Sequence, residues 1–552
     1  MTQDEPAYFY DPVVTEFQVL LEEVTRAKPG SPETRFVEPD AETFRKLSSR
    51  FHHALLGRRG TGKSSLLRKM ESSVRESGSF VAWTDQETFS ALSYPDVLVA
   101  TLAEVFRQFA VQLRQVPDTG KRRWLGRNPP SRSEEVARLL DDVVVQLIDL
   151  KNSPGQSNVE WTASYAATSS RLTESALELG ASAKGLSAKA KRSNSKSESR
   201  SQGANISKSY AASKSEHLER AVTTYRDLMK LVSSIRPDAF VVLDDFYRLS
   251  EAVQPDIAGY FHRVVKDTSV WLKFGSIPFW TRLYRGGSPA VGLQVPHDLR
   301  DLSLDRGLPD FKNSKRFLED ILGSLAQEEG VALPKLFSDG ALDRLVLAAG
   351  GVPRDYIGLA SDSISVAKNR GVSTKSGSHR VISEDVNEAA GRTVTLKFAD
   401  LDEDARERSD ELRQLIIKLT AHCRETGCAW FLADTLDQEL VTQLGRLQNM
   451  RFIHLIDANE SLPDQQSSRY LVYILDVSQL AAQRAVQVDF MGWTTREKRR
   501  ARKLVFTESS ITPEIMKKLK MPVSVPMTLF DDNDAIMGDI DPPVSTDQSN
   551  LV

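Results

Sequence analysis

The chain of 552 residues contains very little cysteine, and its two thiols are Cys423 and Cys428. Two cysteines exclude a disulfide framework, and alone they do not supply the four ligands of a structural zinc site. A chain of this size without disulfides is typical of a reducing compartment, so we expect a cytoplasmic protein. The first residues, Met1 to Pro6, are acidic and contain no apolar core, which argues against a secretion signal.

Long hydrophobic runs and an excess of one charge are also absent. The run from Val143 to Ile148 is typical of the longest, whereas a membrane-spanning helix needs about 20 apolar residues. We therefore expect no membrane contact. The formal net charge of −3 excludes a whole-surface attraction to nucleic acid. With 40% hydrophobic residues, the composition is that of a globular protein of roughly three or four domains.

The segment Gly57-Arg58-Arg59-Gly60-Thr61-Gly62-Lys63-Ser64, here called the P-loop, fits the pattern G-x-x-x-x-G-K-[ST]. An apolar run precedes it and a helix-like segment follows, as a phosphate-binding loop requires. Backbone N–H groups of such a loop surround nucleotide phosphates, Lys63 is expected to reach the β- and γ-phosphates of ATP, and the Ser64 hydroxyl to hold Mg²⁺. The predicted cofactor-binding residues here are Gly57, Gly60, Thr61, Gly62, Lys63, Ser64 and Ser65.

A second pattern is the apolar run Phe240–Leu243, which ends in two carboxylates, Asp244 and Asp245. Ligands of parallel α/β sheets bind at the carboxyl ends of the strands. We therefore predict that Asp244 holds Mg²⁺ together with Ser64, and that Asp245 orients or activates the attacking water. A further strand is predicted from Val270 to Ser276. Its last residue, Ser276, either senses the γ-phosphate or simply begins a loop.

Between these two patterns lies a region of different composition, residues 151–215. It is rich in serine, alanine, lysine and glycine, and residues 191–200 include no apolar side chain. Such a segment cannot bury enough surface to offset the entropy of ordering, so we predict a disordered basic insertion. Residues 181–214 contain eight lysines and arginines against one acid. Either a solvated linker or an arm that contacts nucleic acid or another acidic partner fits this pattern.

A third pattern, Gly350-Gly351-Val352-Pro353-Arg354, lies in a helical region from about 312 to 390. Taken in order, the three patterns resemble the AAA+ and STAND groups of P-loop ATPases. Resemblance to origin-recognition-type AAA+ proteins implies that Arg354 is a catalytic lid arginine that senses the γ-phosphate. Resemblance to NB-ARC-type STAND proteins implies that Pro353 packs near the adenine. The alternative for this segment is a helix cap followed by a turn.

The resemblance implies an α/β fold, with a P-loop NTPase parallel sheet and a helical lid followed by a winged-helix domain. Residues 410–475 fit the last part, since they alternate helix, strand, helix and two strands. The second of these helices is not basic, because Arg446 stands against Asp437 and Glu439, so DNA contact and protein contact both remain open. The predicted domains are an N-terminal helical lead (1–50), the ATPase core (51–298), the lid (299–392), the winged-helix-like domain (393–490), and a basic segment with a disordered acidic tail (491–552).

The predicted function is that of an ATP-binding, slowly ATP-hydrolysing switch whose nucleotide state moves the lid and the winged helix. Slow turnover is expected because Asp245 is shorter than the glutamate of many fast members of the resembling families. Two readouts are predicted, association with double-stranded DNA and signalling of the kind used in antiphage defence. The alternative is a nucleotide-binding scaffold, or a regulator of a partner, without DNA contact. A protein partner or a second copy of the chain is expected.

Overall fold

The computed structural model describes residues 8–25, 41–117, 131–152, 204–236, 238–373, 379–405, 408–462, 465–481 and 501–519. The chain divides into two compact units, Met1–Val386 and Asn387–Val552. No described helix is both long enough and apolar enough to cross a bilayer.

The α-helices of the described residues are α1 (Pro12–Val24), α2 (Ala41–Leu47), α3 (Lys63–Glu76), α4 (Asp96–Arg114), α5 (Arg132–Asn152), α6 (Ala204–Ile235), α7 (Gln254–Val265), α8 (Phe311–Glu328), α9 (Leu333–Leu336), α10 (Asp339–Ala349), α11 (Pro353–Ser373), α12 (Ser383–Arg392), α13 (Val394–Ala405), α14 (Ser409–Thr426), α15 (Gln438–Asn449), α16 (Ser478–Ala481), α17 (Ala501–Leu504) and α18 (Pro513–Lys518). The strands are β1 (His53–Leu56), β2 (Phe80–Asp85), β3 (Ala239–Asp244), β4 (Val270–Ser276), β5 (Tyr284–Arg285), β6 (Val291–Gly292), β7 (Arg300–Ser303), β8 (Trp430–Asp434), β9 (Ile453–Leu462) and β10 (Gln465–Leu475).

The first unit is built on a parallel five-stranded sheet in the order β2-β3-β4-β1-β7. Helices cover both faces of this sheet. On β3, Val241 and Leu243 pack on the face covered by α4 to α7, whereas Phe240 and Val242 pack against α3 on the other face. Side chains of a strand alternate between faces, and both faces of β3 are covered, which explains why the strand is apolar up to its last residue, Asp244. The predicted α/β fold with a parallel sheet is confirmed.

The lid helices α8 to α11 follow the sheet, and α1 packs on them. Gln18 of α1 donates through Nε2 to the carbonyl oxygen of Ser361 (3.1 Å) on α11, and Lys368 Nζ donates back to Gln18 Oε1 (2.7 Å). Leu47 of α2, in contrast, is buried in the cluster beside α3. The predicted helical lead of residues 1–50 is therefore not one element, since its first helix packs with the lid and its second with the sheet.

Two predicted boundaries of the first unit are wrong. The lid was expected to begin at residue 299, but residues 300–303 form β7, which pairs with β1 at the edge of the sheet. The insertion predicted for residues 151–215 is shorter than expected, because α5 ends at Asn152 and α6 begins at Ala204. No glycine or proline interrupts α6, and Lys214 Nζ donates to Asp96 Oδ1 (2.6 Å), which anchors the helix to α4. Residues 153–203 lie outside the described part of the chain.

The second unit combines helices with an antiparallel sheet in the order β8-β10-β9. Its elements follow the predicted order of helix, strand, helix and two strands, in α14, β8, α15, β9 and β10. A buried ionic network lies at the end of β10: Lys397 Nζ donates to Asp476 Oδ1 (2.6 Å), and the other oxygen, Oδ2, lies 2.7 Å from His454 Nε2. Most of the basic segment and the acidic tail predicted for residues 491–552 lies outside the described residues.

Candidate nucleotide site

The P-loop connects β1, an internal strand of the sheet, to α3. Gly60 and Gly62 have φ angles of 87° and 91°, a left-handed conformation that glycine adopts without steric cost. The chain turns at these two glycines, and α3 then begins at Lys63 with Gly62 as its N-cap. The N-terminus of a 14-residue helix, with its unpaired N–H groups and partial positive charge, thus lies at the carboxyl edge of the sheet.

Lys63 is buried at the base of this loop, with 6% of its surface exposed. Its Nζ donates to the carbonyl oxygens of Gly57 (3.0 Å) and Arg58 (3.2 Å). Burial lowers the pKa of the Lys63 ammonium, whereas the carboxylates of Asp245 and Asp244 act in the opposite direction. An ammonium ion that is shielded from water in this way interacts strongly with any anion that enters the loop.

Asp244 lies beside Ser64 at the carboxyl edge of the sheet. Asp244, the last residue of β3, is 4% exposed, and the Ser64 hydroxyl lies close enough to its carboxylate to lower the pKa of that group. Burial raises the pKa of Asp244, and the hydrogen bonds from Ser64 and from the N–H of Asp245 partly offset that effect. Two oxygen ligands of the type that Mg²⁺ prefers are therefore adjacent.

Gly275 on the neighbouring strand β4 makes room for this carboxylate. A Cβ atom at position 275 would lie 2.2 Å from Asp244 Oδ1 and 2.9 Å from a methyl group of Leu67. Both distances are far below van der Waals contact, so any side chain at this position would displace the acid. The requirement for glycine at residue 275 was not predicted from the sequence.

Asp245 follows the strand in a left-handed conformation, with φ 48° and ψ 39°. Burial and the neighbouring charge of Asp244 raise the pKa of Asp245 to about 6. Carboxylate oxygens of Asp85, Glu87 and Asp245 lie within 4.8 Å of one another, so this edge of the sheet is strongly acidic.

Ser276 ends β4 beside the P-loop, with its backbone carbonyl accepting from the N–H of Gly57 (3.2 Å). Its side chain is fully buried and its hydroxyl hydrogen-bonds to that of Thr281. The hydroxyl of Thr281 donates in turn to the carbonyl of Ile277 (2.7 Å). Ser276 thus belongs to the same edge as Asp244, while its hydroxyl is held by a residue that the sequence did not identify.

The lid reaches the P-loop through residues 350–354, here called the lid turn. Gly350 caps α10 in a left-handed conformation, and Pro353 is the first residue of α11. The N–H of Arg354 donates to the carbonyl of Gly60 (3.3 Å), and a Cβ atom at residue 60 would lie 2.9 Å from Cβ of Arg354. The charge of Arg354 lowers the pKa of Lys63, which places both cations in one electrostatic environment.

The remaining predicted binding residues lie in the same loop. Thr61 is buried and its hydroxyl donates to the carbonyl of Arg58 (2.9 Å), which closes the loop on itself. Ser65 is half-buried in the first turn of α3. The structure therefore gathers the residues predicted to bind phosphate and metal, and those predicted to sense the nucleotide, at one edge of the sheet.

Comparisons with known proteins give limited guidance. No family model matches the chain, and no curated protein sequence matches it. Among solved structures, it is similar to the Orc1 protein of Aeropyrum pernix in complex with DNA, at 14% identity and a TM-score of 0.32, over 85% of this chain and 95% of that one.

The close approach of Gly275 to Asp244 generates a prediction for the substitution Gly275→Ala. The added methyl group should displace the Asp244 carboxylate from Ser64, and Mg²⁺-dependent ATP binding should weaken by roughly tenfold or more, which corresponds to about 1.4 kcal/mol. ATP affinity with and without Mg²⁺ can be measured by calorimetry. The matched control is Gly323→Ala in α8, where a Cβ atom meets nothing within 4 Å. Equal Mg²⁺-dependent affinities of wild type and Gly275→Ala would contradict this account of Gly275.

Proposed function

We propose that this chain is an ATP-binding and slowly ATP-hydrolysing switch. The observation that carries the proposal is the contact of Ser64 with Asp244 directly beside the buried Lys63. The N-terminus of α3 and the buried ammonium group of Lys63 favour the binding of a polyphosphate. The neighbouring hydroxyl of Ser64 and carboxylate of Asp244 favour a magnesium ion bound to that polyphosphate.

The residues present fit a magnesium ion. Ser64 and Asp244 offer two oxygen atoms, and the absence of a side chain at Gly275 leaves the carboxylate its place. Ser64 and Asp244 would hold the ion, which would supply positive charge to offset the negative charge that develops in phosphoryl transfer. Lys63 would exchange its two carbonyl acceptors in the loop for phosphate oxygens, which are stronger acceptors because they are charged.

Asp245 fits the role of orienting and deprotonating water. It is next to the metal-binding acid, and its pKa of about 6 leaves it ionised at neutral pH but close to the range that suits a general base. Arg354 fits the role of a lid cation, because its backbone N–H donates to Gly60 and its positive charge lowers the pKa of Lys63. Loss of the γ-phosphate would remove the anion between these cations and favour movement of the lid turn.

For the second unit, we propose contact with a protein partner through α15 rather than entry of this helix into the DNA major groove. The N-terminal residues of a recognition helix contact base edges. In α15 that end carries Asp437 and Glu439, which are exposed and which phosphates would repel. Arg446, the basic residue of the helix, is buried.

The phosphate-binding role of Lys63 predicts the behaviour of Lys63→Ala. Two charge-assisted hydrogen bonds would be lost, so ATP affinity should fall about a hundredfold or more. Binding can be followed with a fluorescent ATP analogue, and Lys230→Ala on the surface of α6, where Lys230 pairs with Asp227, is the control. An affinity of Lys63→Ala equal to that of wild type would remove the site assignment.

The raised pKa of Asp245 predicts a pH dependence of hydrolysis. Below about pH 6 its carboxyl group is protonated and cannot accept a proton, so kcat/KM for ATP should decline as the pH falls from 7.5 to 5. Asp245→Asn should keep ATP affinity within about threefold while kcat drops a hundredfold or more, and this limb of the profile should vanish. Full activity of Asp245→Asn, or the same limb in that variant, would exclude Asp245 as the base.

The acidic start of α15 predicts the effect of removing its charges. Asp437→Ser with Glu439→Gln retains an N-cap and deletes two negative charges. If α15 contacts a protein, the affinity of the full chain for duplex DNA should be the same in variant and wild type at 50 and 200 mM salt, as measured by fluorescence anisotropy. If α15 faced DNA, removal of the repulsion would strengthen binding about tenfold at low salt. Such a gain would overturn the proposal for α15.

A further inference from the structure

Arg58 is a P-loop residue whose side chain is 1% exposed. Its Nε donates to Asp305 Oδ1 (2.9 Å), and its Nη2 donates to the carbonyl oxygen of Gly350 (2.8 Å). The same Asp305 oxygen accepts from the backbone N–H of Arg58 (3.1 Å). One guanidinium group therefore joins the P-loop, the segment that leaves β7, and the lid turn.

The lid turn and the segment after β7 are also in close contact with each other. Gly351 has a φ angle of 83°, and a Cβ atom there would lie 2.1 Å from the carbonyl oxygen of Arg306. Only a glycine allows the two backbones to approach so closely. Residues 305 and 306 begin the connection between the sheet and α8, and any movement of the lid relative to the sheet must pass through it. Arg58 is thus placed at the pivot of the lid.

The chemistry of arginine suits this junction. The carbonyl of Gly350 lies at the C-terminus of α10, where the helix dipole favours a cation. A planar guanidinium group can donate to two partners in different directions at once, whereas a lysine ammonium is a point charge on a flexible stem. Removing one partner of a buried charge is costly, so the three segments are bound to one another through this side chain.

Arg58 is also linked to Lys63. The carbonyl oxygen of Arg58 accepts from Lys63 Nζ and from the Thr61 hydroxyl, while its side chain holds Gly350. When Lys63 exchanges carbonyl acceptors for phosphate oxygens, one of the bonds that fix the Arg58 backbone is lost. The residue that changes with phosphate binding is thus the one that holds the lid turn.

We infer that Arg58 is a positioning residue that couples the P-loop to the lid turn and thereby sets the rate at which nucleotide leaves the site. This inference rests on the proposed function for its nucleotide part. Its structural part, the fixing of the lid turn by Arg58, is independent of any ligand. Neither part follows from the P-loop pattern, which allows any residue at position 58.

The test uses the full chain with Arg58→Lys, Asp305→Asn and the control Arg107→Ala, which deletes an exposed ion pair with Glu104 on α4. Lysine keeps the charge and can reach Asp305 but cannot also donate to Gly350. Asparagine keeps an acceptor for Arg58 but removes the charge. Hydrogen exchange of a peptide covering residues 349–357 reports the bond from the Arg354 N–H to Gly60, and a fluorescent ATP analogue reports dissociation.

For Arg58→Lys we expect exchange of that peptide and dissociation of the analogue to become about tenfold faster, with exchange in α4 and β3 unchanged. Asp305→Asn should act in the same direction, and Arg107→Ala should alter neither quantity. Unchanged exchange at residues 349–357 in Arg58→Lys would overturn the inference, and so would equal acceleration throughout the first unit. If wild type binds no ATP analogue, the proposed function fails, while the exchange measurement still decides whether Arg58 holds the lid turn.

Discussion

The contact between Ser64 and Asp244 is the interaction on which the candidate site depends. It joins the first turn of α3, the helix that follows β1, to the end of β3, and β4 lies between β1 and β3 in the sheet. Parallel strands end at one edge, so the loop after β1 and the acid after β3 can meet only there. Gly275 on β4 is the structural condition for that meeting, because a side chain on the intervening strand would occupy the place of the carboxylate.

The buried acids of the two units differ in the direction in which their surroundings shift their pKa values. Asp476 in the second unit has Lys397 and His454 as partners, and their charges hold its pKa well below the usual range. Asp244 and Asp245 are also buried, but the favourable interactions around them offset less of the cost of burying a charged carboxylate, so their pKa values are raised. An acid whose charge is compensated by bonded partners stabilises its surroundings. Two acids with raised pKa values next to a buried lysine can still bind a cation.

Parts of the site and fold that rest on local patterns could be predicted from the sequence, and parts that rest on long-range contacts could not. The P-loop and Asp244 follow apolar runs, so their strands and the shared edge were predictable. Strand β7 contains one apolar residue, Leu302, and is a strand because it pairs with β1. Arg58 occupies a variable position of the motif, and its importance arises from partners about 250 and 290 residues away, which no local pattern encodes.

The packing of the N-terminal helices shows which contacts can restrain the lid. Helix α1 packs on the lid and α2 packs on the sheet, and residues 26–40 connect them. The lid turn contacts the P-loop directly, through the bond from the Arg354 N–H to the carbonyl of Gly60 and through the guanidinium group of Arg58. Because both contacts involve the P-loop itself, a change in the conformation of that loop acts directly on the lid turn.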